Sequence, residues 1–119
     1  MRITIVASSN ERLVCALEGE LGAETVEHVD REIDRYLPAG PGTIEIDLAR
    51  LRALDSSGAG CLLALALKAR ARGVELSLRG AFGQPLALLH ELRVDGDVKV
   101  IARERGITNP WGWRRGGNA

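Results

Sequence analysis

The segment Leu54-Asp55-Ser56-Ser57-Gly58-Ala59-Gly60 joins a strand-like run to a strongly apolar helical one. It brings an acid, two hydroxyls and two glycines to the start of a helix. There the first backbone N–H groups have no partner inside the helix and the macrodipole is positive. A hydroxyl in that place is either a simple cap or a point where a phosphate is added and read. Asp55 or Ser56 alone would serve as the N-cap, so the further hydroxyls exceed what capping needs. Gly58 and Gly60 fall inside the helix, where each costs about 1 kcal/mol relative to Ala. They remove side-chain bulk and let another surface come close to the backbone.

Upstream, Thr43–Leu48 alternates Ile44, Ile46 and Leu48 with Glu45 and Asp47, the pattern of a strand with one apolar face. A short connection anchored by Leu51 and Leu54 leads to the turn. Downstream, a helix runs to about Arg72 with Gly73 as its stop. Its first two turns, Ala59 and Cys61 to Leu67, are apolar on every side. Such a helix either lies central among the helices or presents an apolar patch beside Ser56. Val74–Leu78 is a further alternating strand closed by Gly80. Pro85 opens a third helix with Leu86, Leu89 and Leu92 on one face, and Val98–Ile101 is a short strand or a helix start.

Toward the N-terminus, Ile3–Ser8 and Arg12–Glu18 read as strands joined through the hairpin residues Ser9-Asn10-Glu11. Gly19 and Gly22 break that pattern. An amphipathic helix from Ala23 to Leu37 follows, with Val26, Val29, Ile33 and Leu37 on one face, and Pro38–Gly42 forms a loop. The order β-β-α-β-α-β-α predicts an α/β fold: a mixed four- to five-stranded sheet with helices mainly on one face. Right-handed crossovers link the parallel strands, and polar alternate positions such as Asp47 and Ser77 leave the other face open. Residues 1–105 are expected to form one domain. Residues 106–119, which include Trp111 and Trp113, are expected to be a flexible tail.

The chain has 119 residues, 45% of them hydrophobic, enough for one packed core. Sixteen basic residues balance sixteen acidic ones, so no field of either sign points to nucleic acid or a membrane surface. Cys15 and Cys61 have no Cys or His neighbour at metal-ligand spacing and read as reduced, buried thiols. With no signal peptide and no apolar run long enough for a bilayer, a cytoplasmic location without direct membrane contact is expected. His28 and His90 share no motif with a serine, and neither a nucleophile elbow nor a phosphate-binding glycine loop occurs. No enzymatic activity, cofactor or metal is expected.

The run Ile44-Glu45-Ile46-Asp47-Leu48, the spaced Leu51 and Leu54, and Asp55-Ser56-Ser57-Gly58-Ala59-Gly60 resemble the STAS domain, shared by sulfate transporters and anti-sigma factor antagonists. Leu17-Glu18-Gly19-Glu20-Leu21, Gly73–Leu78 and Leu89-His90-Glu91-Leu92 fit the same pattern, so the resemblance covers about residues 3–102. For a single-domain bacterial member it implies an anti-sigma factor antagonist. In such proteins the serine after the aspartate is phosphorylated by a partner that is both serine/threonine kinase and anti-sigma factor. The unmodified form binds that partner, the phosphorylated form does not, and a phosphatase resets the switch. Carried onto this chain, the phosphoacceptor is Ser56, and the partner-binding surface comprises Asp47, Asp55, Ser56, Ser57, Gly58, Ala59, Leu62 and Leu63. Ala59 stands where a larger aliphatic residue is common, which thins the docking surface. The alternative within the same resemblance is a cytoplasmic accessory subunit that braces the ATPase of a lipid-transport ABC system and is never phosphorylated.

Overall fold

The computed structural model describes residues 1–103, so the expected tail with Trp111 and Trp113 lies outside the described residues. Five strands form one sheet in the order β1-β2-β3-β4-β5. Strands β1 (Arg2–Ser8) and β2 (Arg12–Leu21) are an antiparallel hairpin. Its turn is tied by the Ser9 hydroxyl, which accepts from the amides of Glu11 and Arg12. The parallel strands β3 (Thr43–Leu54), β4 (Glu75–Ala81) and β5 (Lys99–Ala102) follow. Three helices separate them: α1 (Val26–Asp34), α2 (Ser56–Ala71) and α3 (Gly83–Glu91). Because the parallel strands are laid down in sequential order, right-handed crossovers put all three helices on one face. The mixed sheet and one-sided helix layer match the expected architecture, with Val98–Ile101 resolving into a fifth strand.

Several boundaries move, each for a tertiary reason. The stretch after Leu48 is not a connection. It continues as strand to Leu54, because Glu18–Leu21 extend β2 and pair with Arg50–Leu54 across two register shifts. Gly19 therefore lies inside β2, at the irregularity, with φ +116°. Gly80 does not close β4 but sits within it at φ +81°, where the pairing with β5 shifts. Helix α1 is shorter than its periodicity suggests. Its first expected turn is spent on a Gly22–Thr25 turn, in which the Thr25 hydroxyl accepts from the Gly22 amide and donates to the Glu20 carbonyl. Leu37–Ala39 forms a separate 3-10 turn.

The core fills the space between sheet and helices. Leu13, Cys15 and Leu17 of β2 and Ile44, Ile46 and Leu48 of β3 are buried beneath α1 and α2. Helix α2 packs between α1 and α3, which accounts for its apolar circumference. Leu62 and Leu65 are fully buried, the Cys61 thiol lies against the Val26 carbonyl, and Lys68 reaches Asp34 at 2.9 Å and Asp30 at 3.5 Å. The first of the two expectations for this helix, a central position, therefore holds for its inner and lateral faces, while Gly60, Ala64 and Leu67 on its outer face are exposed. On the opposite face of the sheet, Glu45 lies between Arg12 and Arg79 of the flanking strands, both of which donate to it. Those hydrogen bonds hold its carboxyl below the usual range. No helix among the described residues is long and apolar enough to cross a membrane.

Candidate functional site

The C-terminal ends of β2 and β3 reach the same rim of the sheet, and α2 starts from that rim. Asp55 leaves the strand with extended backbone (φ −110°, ψ −178°), the conformation of an N-cap. Its Oδ1 accepts from the Gly58 amide at 2.8 Å. Its Oδ2 accepts from the Ala23 amide at 3.3 Å, and its own amide donates to the Leu21 carbonyl at 3.2 Å. One carboxylate thus caps α2 and ties it to the turn after β2. Asp55, not Ser56, does the capping. Ser56 and Ser57 are exposed in the first turn of the helix, beside its free amides.

The glycines divide between two tasks. A Cβ on Gly58 would stand 2.4 Å from the Leu21 carbonyl oxygen and 2.7 Å from Leu54 Cδ1. The surface that approaches this glycine is the protein's own β2 end, not a partner. Gly22 has the same purpose from the other side, since its Cβ would meet Asp55 Oδ2 at 2.5 Å. Gly60 is exposed, and a methyl added to it would have nothing within 4 Å, so it leaves the outer face of α2 open.

Several residues expected on the partner-binding surface are placed elsewhere. Gly58 is buried, Ala59 is 1% exposed and Leu62 is 0% exposed, so none of these three can touch a partner. They face the sheet because positions 58, 59 and 62 share the inner face of α2. The small Ala59 is a packing residue there and does not thin an outer surface. Asp47 lies on the open face of the sheet, where its Oδ1 accepts from the Ala49 amide at 2.9 Å. The continuation of β3 to Leu54 carries the chain about 20 Å past it, which separates it from Ser56. Asp55, Ser56 and Ser57 stay together at the helix start, with Leu63 half-buried further along the helix. The exposed stripe of α2 that runs from them is Gly60, Ala64 and Leu67, the last 45% exposed.

One participant is not legible in the sequence. Gln84, in the first turn of α3, donates from Nε2 to the Leu54 carbonyl at 2.7 Å and accepts at Oε1 from the Leu54 amide at 2.9 Å. Nothing in its local context announces this, because the partner lies thirty positions upstream. Gln84, Glu20, Glu24, Arg52 and Asp55 line a cleft of about 530 Å³ at the rim. Three acids against one base make its lining acidic. Among the described residues no cluster of side chains suited to a metal ion occurs.

The fold defines a class, an α/β domain with its helices on one face of a mixed sheet and an acid–hydroxyl helix start at the rim. The family model described as "Mlab, STAS domain" matches residues 5–102. The chain belongs to the STAS domain family. Among solved structures it is similar to an anti-sigma factor antagonist from Mycobacterium paratuberculosis (TM-score 0.69, 22% identity, 84% of this chain and 86% of that one). It is also similar to the anti-sigma factor antagonist SpoIIAA in its unphosphorylated form (TM-score 0.65, 23% identity, 84% and 87%). The Bacillus cell fate determinant SpoIIAA in the phosphorylated form gives a TM-score of 0.67 at 21% identity, over 87% and 93%. At these identities the likeness carries the fold. A comparison with curated proteins returned no match.

Proposed function

We propose that this chain is an anti-sigma factor antagonist, a binding protein of the cytoplasm that is switched by phosphorylation at Ser56. The observation that carries the reading is the division of labour at the α2 start. Asp55 supplies the cap, so the exposed Ser56 hydroxyl has no structural duty and is free to accept a phosphate. In the unmodified form, Asp55, Ser56, Ser57 and the outer stripe of α2 dock on an anti-sigma factor serine/threonine kinase. The kinase brings ATP and magnesium; Ser56 Oγ attacks the γ-phosphorus, ADP leaves, and the hydroxyl proton passes to a base of the kinase. The phosphate adds about −1.5 to −2 charges at pH 7. The free amides of α2 favour it, while Asp55, Glu20 and Glu24 at the same rim repel it. The local fold is kept and the charge of the surface changes, which ends docking until a phosphatase removes the group. That a fold neighbour is known in both phosphorylated and unphosphorylated forms supports the reading.

Incubation with its anti-sigma factor serine kinase, sought among the products of neighbouring genes, plus ATP, is expected to add one phosphate by intact mass, lost in Ser56→Ala and kept in Ser57→Ala. No mass gain by the wild type would overturn the switch. A second reading, a bracing subunit of a transport ATPase, is favoured by the outer stripe Gly60, Ala64 and Leu67, which can dock without any modification. Under that reading Ser56→Asp leaves partner affinity unchanged, whereas the switch requires a loss of about tenfold or more, as expected for a like charge placed at an interface.

A further inference from the structure

We infer that Gln84 is a positioning residue for Ser56, resting on the proposed role of that serine. Leu54 is the last residue of β3, and on one side it is paired with Leu21 of β2. On its other side no strand is available, because the β3–β4 ladder runs only from Thr43↔Glu75 to Asp47↔Arg79. The amide and carbonyl of Leu54 would face that gap without partners. The side-chain amide of Gln84 fills it: its NH2 donates to the Leu54 carbonyl at 2.7 Å and its oxygen accepts from the Leu54 amide at 2.9 Å. A primary amide offers one donor and one acceptor side by side, as a peptide group of a neighbouring strand does. Gln84 is thus a one-residue substitute for the missing strand.

The consequence lies two residues on. Leu54 is the last point at which the chain is held from both sides before the Asp55 cap and Ser56. On the β2 side the turn is fixed by the Asp55 bonds to Ala23 and Leu21. On the α3 side it is fixed by Gln84. Fixing both peptide groups of Leu54 sets the direction in which the chain enters α2, and with it the direction in which Ser56 Oγ is presented. It also couples the start of α3 to the docking rim, so a displacement of α3 is felt at Ser56.

The test uses Gln84→Glu and Gln84→Leu in the full chain. A protonated glutamic acid keeps one donor and one acceptor and can hold Leu54 as glutamine does. Its carboxylate keeps only acceptors and faces the Leu54 carbonyl, so the acid form is favoured in the folded protein and its pKa rises above the usual value of about 4.3. The clamp should therefore be complete in the variant at acid pH and be lost as pH rises through that raised value. Glu20, Glu24, Asp55 and Arg52 share the rim, so the wild type over the same pH range is the reference.

In amide NMR spectra, the Leu54 and Ser56–Gly58 signals of Gln84→Glu are expected to match the wild type at low pH and depart from it at high pH. Gln84→Leu should depart at every pH. Hydrogen-exchange protection of the Leu54 amide should fall about tenfold in Gln84→Leu, the loss of one hydrogen bond to a part-buried peptide group. With the kinase, phosphoryl transfer to Gln84→Leu should show a kcat lowered about tenfold with KM little changed, as misorientation of a hydroxyl predicts. Signals of residues 54–58 that stay at their wild-type positions in both variants would overturn the positioning role. So would a KM increase at unchanged kcat. If no phosphate reaches even the wild type, it is the proposed switch that fails, while the spectra still decide what Gln84 does.

Discussion

Replacing Gly58 by alanine tests the packing at the helix start, because helix propensity and tertiary structure predict opposite signs. Taken as a helical position, Gly58→Ala should stabilise by about 1 kcal/mol. The structure places the new methyl 2.4 Å from the Leu21 carbonyl oxygen and 2.9 Å from its carbon, distances at which the backbone itself must move. The end of β2 has to retreat by about 1 Å to restore ordinary contact, and that end is the acceptor for the Asp55 amide. Overpacking of this kind costs about 1–3 kcal/mol, and weakening the Asp55–Leu21 bond adds about 1 kcal/mol. Against the propensity gain, the net is a destabilisation of about 2 kcal/mol. Gly60→Ala is the control: its methyl meets nothing within 4 Å, so it should stabilise by about 1 kcal/mol. In equilibrium urea unfolding, with m of roughly 1.5 kcal/mol/M, the Gly58→Ala midpoint should drop by about 1.3 M and that of Gly60→Ala should rise. A Gly58→Ala protein as stable as the wild type, at unchanged m, would refute the close approach.

Other outcomes follow from the same geometry. Asp55→Ala should cost about 1–2 kcal/mol through the lost cap; Asp55→Asn, with a single acceptor, should keep most of that stability but lose exchange protection at the Ala23 amide, and equal protection would count against the link to the turn. Glu45 has its folded pKa lowered by Arg12 first and Arg79 second. Its contribution is therefore present above the unfolded value of about 4.3 and is lost as pH falls through the folded one. With both arginines about half exposed, the contribution is about 0.5–1 kcal/mol, so Glu45→Gln should be that much less stable at pH 7 and show a flatter acid limb; an acid limb identical to the wild type's would contradict the pairing. Burial pushes the Cys15 and Cys61 thiols up to about 11, so both should label with a thiol reagent at pH 7.5 at least about a hundredfold more slowly in the native protein than in urea, and rapid native labelling would show that they are not shielded.

Where the sequence pattern is local, it is legible. The alternation at Ile44, Ile46 and Leu48, the periodicity of Val26, Val29 and Ile33, and the stop at Gly73 correspond to elements of the structure. The acid–hydroxyl turn falls where the sequence puts it, at the start of α2. What is not legible depends on distant segments. Leu48 reads as a strand end because Ala49–Ala53 lack clean alternation, yet β2 carries them as strand through two register shifts. That extension is what removes Asp47 from the site. A helix apolar on all sides gives no sign of which face turns inward. Leu62 and Ala59 therefore read as outward residues, and the outer stripe of Gly60, Ala64 and Leu67 emerges only from the packing.

The sequence by itself determined the class of fold and the chemistry at the start of α2. Periodicities of two and three and six-tenths residues, and the side chains that cap a helix, are properties of neighbouring residues. Only the tertiary structure decided which glycine is structural and which is open. It also decided that Asp55 caps and frees Ser56, and that Gln84 stands in for an absent strand. Those outcomes depend on which backbone groups lack a partner once the sheet has formed. A carbonyl at Leu21 that crowds a helix, or an unpaired peptide at Leu54, exists only after β2, β3 and α3 have come together.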